Sequence, residues 1–523
     1  MHGGRNRDTA AMTTIEDAKT EKHTAGSPCG AYIETPCKFE AYRALSHLYA
    51  ILILRHSTLM PSLQLALYNV LTVFERRQNM VIRFLGKKLS SFQIIIFGFL
   101  GLILIGTALL MLPFAVKEGN IASFEDALFT STSAVCVTGL VVRDTASYWS
   151  GFGQAVILIL IQIGGLGIVS VAAFIAMLSG RKISLLQRSI LQDSISAHQI
   201  GGIVKMTGFI FKTALIAEVS GALLMMPTFC NQYGAAGIWL SFFHSVSAFC
   251  NAGFDIMGDK TGPFSSLISF VDKPGIVIPI CLLIIVGGIG FLTWEDLATN
   301  KHHIRSYRMQ SKVVLATTGV LIIVPMFLLL FFEYTEGSVK DRIFLSLFQA
   351  ITPRTAGFNT ASFSSLSGTG SVLLIVLMLI GGSPGSTAGG MKTTTIAVLF
   401  SGAFSVFRRK KSAQLFGRRI EEGTIRNAIT LLLMYLLLPM IGAAVISMID
   451  GLPIGACIFE TVSAIGTVGL SLGITPSLSL VSHLILILLM FLGRVGGFTL
   501  IYAAINSKSI DVSQRPVEKI IVG

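Results

Sequence analysis

The sequence predicts an all-α membrane protein: eight transmembrane helices in four pseudo-symmetric helix–pore loop–helix repeats around one pore. Three observations predict it. The chain has a mean hydropathy of +0.74, and 52% of its 523 residues are hydrophobic against only 13% charged, the composition of a polytopic membrane protein rather than a soluble enzyme. Lys and Arg gather in alternate loops, the bias that orients membrane proteins. A short phrase ending on glycine recurs four times between apolar runs, and a recurrence of that kind is an internal repeat.

The four phrases are Ser133-Ala-Val-Cys-Val-Thr-Gly139, Ser247-Ala-Phe-Cys-Asn-Ala-Gly253, Thr352-Pro-Arg-Thr-Ala-Gly357 and Ser463-Ala-Ile-Gly-Thr-Val-Gly469. Their glycines stand 114, 104 and 112 positions apart (253 − 139, 357 − 253, 469 − 357). The repeats are expected at 90–180, 203–298, 312–407 and 426–507, with a tail at 508–523. Residues 1–79 repeat nothing. Their mixed stretch Leu45–Phe74 is interrupted by Arg55 and His56, so a further membrane hairpin is weakly supported. Met80-Val-Ile-Arg resembles a natural start, and 1–79 is expected to be a mis-annotated start or a disordered extension.

The basic loops are Glu75–Lys88, Arg181–Lys205, Lys301–Lys312 and Arg408–Arg426, alternating with sparsely charged ones such as Lys117–Asn120 and Asp450–Pro453. With the basic loops in the cytoplasm, every repeat starts and ends inside and every glycine phrase opens outward. The net charge of +13 is therefore a matter of topology, and a nucleic-acid partner is excluded. The basic loops could dock a cytoplasmic partner, although lipid headgroups account for them equally well. Each phrase follows a segment too short to span. Ser123-Phe-Glu-Asp126 and Ser338-Val-Lys-Asp341 read as capping boxes of helices ending near Ala134 and Ile351, and Pro453 opens a fourth. A helix of about a dozen residues cannot cross ~30 Å of hydrocarbon, so it enters and stops, and irregular backbone follows where protein or water receives it.

The seven cysteines show no metal or redox spacing. Cys136 and Cys250 hold matching positions, so a bridge is conceivable, but small apolar packing is the stronger reading.

A cation stripped of water needs oxygens in its place, and backbone carbonyls from four converging loops supply them. Such a loop needs a residue that takes positive φ freely, hence one glycine per phrase. The expected filter is Val135, Cys136, Val137, Thr138 and Gly139; Phe249, Cys250, Asn251, Ala252 and Gly253; Arg354, Thr355, Ala356 and Gly357 after Pro353; and Ile465, Gly466, Thr467, Val468 and Gly469. K+ would sit at its carbonyls, with the negative ends of the short helices aimed at it.

Behind the filters lies a second register: Ile163-Gly-Gly165-Leu-Gly, Val286-Gly-Gly288-Ile-Gly, Ile380-Gly-Gly382-Ser and Leu492-Gly-Arg494-Val-Gly. Small residues permit close helix packing. Arg494 breaks the pattern, and a charge in an apolar helix marks a cavity or a partner. It is expected to face the pore below the filter as a barrier or latch, with a structural ion pair as the alternative. The third inner helix dissolves into Gly381, Gly382, Ser383, Pro384, Gly385, Ser386, Thr387, Ala388, Gly389 and Gly390 before Met391 and Lys392. Glycine and proline forgo helical stability, so this stretch is expected to fold beneath the filter as a gate, with a static break as the alternative.

These residues resemble the Trk/Ktr/HKT superfamily of potassium transporters, most closely KtrB-type membrane subunits, over about Met80–Gly523. The resemblance implies that Gly139, Gly253, Gly357 and Gly469 select potassium and that Gly381–Thr395 and Arg494 gate it. It further implies a homodimer with one pore per protomer, a cytoplasmic nucleotide-binding KtrA-like subunit, Na+ as an activating ion, and a place in the plasma membrane. In that family four filter glycines go with potassium, whereas a serine in the first copy goes with sodium. A TrkH-type subunit or a self-sufficient channel is the nearest alternative. A membrane enzyme would need paired carboxylates or histidines within the spans, where Glu218, His244 and Glu295 are scattered, and no cofactor is expected.

Overall fold

The computed structural model describes residues 90–499 apart from 118, 181–182, 196–200, 364–365, 498 and certain side chains. The expectations for 1–79, for the end of the fourth repeat and for the 508–523 tail lie outside the described residues. Within them the chain is helical but for one two-residue antiparallel hairpin, β1 (Gln414–Leu415) and β2 (Arg418–Arg419), in the densest basic loop.

The first stretch holds α1 (Ser91–Leu110), the short α2 (Phe124–Val135), then α3 (Gly151–Leu166) and α4 (Ile168–Leu178). After a connecting α5 (Leu185–Ile195) come α6 (Ile203–Tyr233), the short α7 (Ala236–Phe249), α8 (Pro274–Gly288) and α9 (Phe291–Asn300). The third stretch has α10 (Met309–Leu328), the short α11 (Val339–Ile351), α12 (Gly368–Leu379) and α13 (Thr393–Phe407). The fourth has α14 (Glu422–Asp450), the short α15 (Ile454–Gly466) and α16 (Leu480–Val495).

The four short helices have 12 to 14 residues, about 18–21 Å at 1.5 Å per residue, and stop well short of the far side of a bilayer. Ser123 caps α2 by accepting from the Asp126 amide at 3.0 Å, and Ser338 caps α11 through the Asp341 amide at 3.2 Å. Pro453 is the N-cap of α15. The Asp126 carboxylate does not complete a capping box; it accepts from Arg143 Nε at 3.1 Å.

One packing relation recurs around the molecule. Each short helix packs on the long helix before it: α2 on α1, α7 on α6, α11 on α10, α15 on α14. The helix after each phrase packs on the short helix of the next stretch: α3 on α7, α8 on α11, α12 on α15, and α16 back on α2. Chain order therefore closes into a ring. At the closing seam His483 of α16 meets Glu125 of α2 through Nδ1 at 2.6 Å and the Thr475 carbonyl through Nε2 at 2.8 Å.

Among the described residues four helices are long and apolar enough to cross a membrane, or six if each of two bent pairs is one span. α3 and α4, and likewise α8 and α9, meet at 96°. The bends fall on Gly167 (φ 87°) and Gly290 (φ 90°), and Gly496 (φ 88°) ends α16 in the same conformation. Positive φ of this kind is open to glycine and breaks the helical ladder. These are the last glycines of the Gly-Gly-Leu-Gly, Gly-Gly-Ile-Gly and Gly-Arg-Val-Gly patterns, which the sequence offered as packing sites only. The outer faces are apolar and exposed, for example Phe97, Leu104, Leu215, Leu224, Leu437 and Ile441, and apolar surface on this scale marks contact with lipid.

Candidate ion pathway

The four phrases converge. An atom added at the Cβ position of Gly139 would come within 3.0 Å of the Ala252 carbonyl, and one at Gly253 would stand 2.8 Å from the Ala356 carbonyl and from Gly357 Cα. The same atom at Gly357 would strike the Val468 carbonyl, and at Gly469 the Thr138 carbonyl, both within 3.0 Å. Each glycine thus abuts the carbonyl just before the next glycine, and the fourth returns to the first. The result is a closed ring of four glycines interleaved with the carbonyls of Thr138, Ala252, Ala356 and Val468, all buried. Backbone approaches this closely only where there is no side chain.

The loop conformation has a second signature. Besides the glycines at φ 93°, 67°, 79° and 92°, the residue two places earlier is also left-handed in every copy: Val137, Asn251, Thr355 and Thr467, at φ 57°, 57°, 68° and 51°. Sequence reasoning asked for one such residue per loop and missed the other. A non-glycine there costs about 1–3 kcal/mol and persists only where the surroundings fix it. The fixing groups are the hydroxyls that open the phrases. Ser133 Oγ and Ser463 Oγ each accept from the filter glycine amide at 3.1 Å. Ser247 Oγ and Thr352 Oγ1 donate to the carbonyls of Phe254 and Phe358 at 2.7 and 2.6 Å. The repeated hydroxyl was visible in sequence; its role was not.

The extended stretch is shorter than expected. Val135, Phe249, Ile465 and Gly466 still belong to the short helices, whereas α11 ends at Ile351, ahead of Pro353. A Cβ on Gly164, Gly287 or Gly493 would strike the carbonyl of Val135, Phe249 or Ile465. These glycines let the following helix lie against the end of each short helix, so those carbonyls face helix rather than the ring. Gly381 departs from the pattern and lies against the Gly389 carbonyl of its own loop. Cys136 and Cys250 are buried, free thiols behind their loops, and Cys250 Sγ donates to Gln162 Oε1 at 3.4 Å. Arg354 is buried as well and points toward Thr318 of α10, with Nη2 at 3.5 Å from Thr318 Oγ1.

The stretch between α12 and α13 packs against the pore loops and is held in place. Ser383 N donates to the Gly288 carbonyl at 2.9 Å, Thr387 N to that of Gly287 at 3.3 Å, and Phe291 N to that of Gly385 at 2.6 Å. Thr387 Oγ1 donates to the Phe249 carbonyl at 3.1 Å. A Cβ on Gly389 would strike Thr467, and one on Gly390 would stand 2.9 Å from the Gly466 carbonyl. Lys392 Nζ donates back to the carbonyls of Ala388 and Gly389 at 2.8 and 3.3 Å. Arg494 joins three elements by donating to the carbonyls of Thr387, Gly164 and Gly165, the last at 3.0 Å. It makes no ion pair among the described residues.

The side chains of the other polar groups named from sequence have separate partners. Glu218 of α6 accepts from Gln162 Nε2 at 2.9 Å, His244 lies within α7, and Glu295 of α9 pairs with Arg308 at 3.3 Å. Asp255 follows Gly253 by two residues and accepts from the Met257 amide at 3.1 Å. Burial raises its carboxyl to about 6.

The sequence matches the model of the TrkH family, a cation transport protein, over residues 87–513. It is 38% identical over 449 residues to the potassium/sodium uptake protein NtpJ of Enterococcus hirae, covering 84% of this chain and 98% of that one. It is 36% identical over 427 residues to the Ktr system potassium uptake protein B of Bacillus subtilis, covering 80% and 94%. Its fold is similar to the crystal structure of the potassium transporter TrkH from Vibrio parahaemolyticus, with a TM-score of 0.66 over 89% of this chain and 97% of that one. At 20% identity that likeness concerns the fold alone.

Proposed function

The chain belongs to the TrkH family of cation transport proteins, and from that premise we propose that it takes up potassium across the plasma membrane through a gated, channel-like path. The observation that carries this reading is the closed ring in which each filter glycine abuts the carbonyl preceding the next. Four carbonyls around one axis replace the oxygens of a hydration shell. The short helices end beside the ring, so the negative ends of four peptide-dipole rows face the ion. No covalent step is involved; the ion runs down its electrochemical gradient.

On this reading the chain crosses the membrane eight times. α3–α4, α8–α9, α12–α13 and α16 are the inner helices of four repeats, near 90–180, 203–298, 312–407 and 426–507. Potassium enters from outside, where Asp255 flanks the mouth, and passes Gly139, Gly253, Gly357 and Gly469. Below them the 381–392 stretch and Arg494 control passage: the arginine latches the loop to α3, and its charge opposes a cation in the cavity. The hydrogen bonds from Arg494 to Thr387, Gly164 and Gly165 support that role, as does the seating of Gly389 and Gly390 against Thr467 and Gly466. Two protomers, each with its own pore, associate, and a cytoplasmic nucleotide-binding subunit of KtrA type governs the gate. The relatives named as components of Ktr uptake systems support this partnership, and the basic segments 301–312 and 408–426 supply docking charge. Sodium acts as the activating ion, in keeping with the name of the Enterococcus hirae relative.

The test is uptake by cells that lack their own potassium systems, with and without sodium and a co-expressed nucleotide-binding subunit. Growth at low potassium is expected in at least the complete combination. No rescue under any combination, with the protein present in the membrane, would overturn the proposal.

A further inference from the structure

Three places before each filter glycine stand Cys136, Cys250, Arg354 and Gly466. Three of these are small and neutral; the fourth is a full positive charge. Arg354 is 5% exposed. Its only side-chain partner among the described residues is Thr318 Oγ1, at 3.5 Å from Nη2, while Nε has none. No carboxylate pairs with it among the described residues. Buried charges are ordinarily paired, and an unpaired one inside a membrane protein marks function. Arg354 does not line the ring, because its side chain runs back toward α10. What it sends to the axis is its field.

We propose that Arg354 determines valence selection: its uncompensated charge, fixed behind the third pore loop, opposes divalent cations in the filter far more than monovalent ones. This rests on the potassium-path reading above. Repulsion scales with the charge of the ion. Three residues of chain reach at most about 10 Å, and the arginine side chain adds several ångströms toward Thr318, so the guanidinium stands on the order of 10–15 Å from an ion level with Gly357. At an effective dielectric constant of about 20 this weakens occupancy roughly tenfold per unit of ion charge. A monovalent ion therefore loses roughly tenfold and a divalent ion roughly hundredfold, leaving roughly tenfold of discrimination from this one residue.

The neighbouring charges leave this arrangement intact. Glu218 is engaged by Gln162 behind the second loop, and Glu460 is held by Ser471, Thr475 and the Leu472 amide behind the fourth. Lys392 and Arg494 lie under the ring and act on an ion after it has left the filter. Among the described residues Arg354 is the one cation within a pore loop.

The test is potassium uptake titrated with external Ba2+, reported as the ratio of the Ba2+ inhibition constant to the KM for potassium. In Arg354→Gln the ratio is expected to fall roughly tenfold, while Arg354→Lys, which keeps the charge, stays within about twofold of wild type. Thr318→Asp keeps the arginine and sets a carboxylate beside it; the same fall is expected there, so the proposal stays testable if the glutamine variant does not reach the membrane. An unchanged ratio in Arg354→Gln or Thr318→Asp, or an equal fall in Arg354→Lys, would overturn it. Wild-type uptake in the same assay reports separately on the potassium reading: its absence would remove that reading, whereas uptake with an unmoved ratio removes only the role of Arg354.

Discussion

Gly253→Ser is the substitution from which the filter geometry can be worked through to a number. Gly253 has φ 67°, and a Cβ there would sit 2.8 Å from both the Ala356 carbonyl oxygen and Gly357 Cα. Ordinary contact begins at 3.4 Å, so the third loop must retreat by about 0.6 Å (3.4 − 2.8). The backbone itself costs about 1–2 kcal/mol for a side chain at this dihedral. The retreat displaces one of the four carbonyls proposed to replace the hydration shell. A hydrogen-bond-strength ligand to a charged group is worth about 1.5–3 kcal/mol, which corresponds to roughly 10- to 100-fold in affinity for potassium. Sodium, smaller and less dependent on all four oxygens together, should lose less. Competition uptake in cells without potassium systems, at graded sodium, reads the ratio directly. Gly368→Ala is the control, since a Cβ there meets nothing within 4 Å. Wild-type potassium preference in Gly253→Ser, at normal membrane abundance, would refute the placement of Gly253 in the filter.

Three further outcomes follow from the same geometry. Removing Ser383–Gly389, or substituting Arg494→Gln, cuts the hydrogen bonds that hold the loop beneath the ring, and potassium flux should rise severalfold; unchanged flux in a well-folded variant would count against a gate. His483→Ala removes the contact to Glu125 that joins α16 to α2 and the one to Thr475 that ties down the turn before α16, at about 2–4 kcal/mol, seen as a thermal midpoint lower by roughly 5 °C with little change in selectivity. Asp255, raised from 3.8 to about 6 by burial, holds its proton in the folded protein to higher pH than in the unfolded chain. Its contribution to stability is therefore full below about pH 4 and lost as pH rises through about 6. Its charge in the folded protein appears as pH rises through about 6, so the KM for potassium should fall as external pH rises through about 6, and Asp255→Asn should flatten both profiles.

Much of this site is legible in the sequence because its requirements are local. A loop that packs backbone on backbone needs glycine, and Gly139, Gly253, Gly357 and Gly469 announce themselves by recurring. Short capped helices before them follow from Ser123, Ser338 and Pro453. A helix cannot continue through Gly381–Gly390, and a lone arginine where three copies have glycine stands out. What escaped depends on tertiary context. The left-handed Val137, Asn251, Thr355 and Thr467 share no one residue type across the four copies, because the surrounding hydrogen bonds impose their dihedrals. The 96° bends fall on the last glycine of a pattern whose first glycines already had a packing role, and spacing cannot say which glycine bends. Whether the side chain of Arg354 runs toward the axis or toward Thr318 cannot be read from its position in the phrase. The hydroxyls of Ser133, Ser247, Thr352 and Ser463 were part of the repeat, yet two bind an amide and two a carbonyl.

The most direct test of the central claim is ion selectivity of the purified protein in liposomes, measured as the potential that develops under opposed potassium and sodium gradients. With the loop released by Arg494→Gln to keep the path open, the potential should follow the potassium gradient, with a preference of at least about tenfold, the factor that 1.4 kcal/mol provides. Adding Gly253→Ser should pull it toward the sodium gradient. A potential indifferent to the two ions, or one that the filter substitution leaves unmoved, would contradict selection by the ring of four glycines.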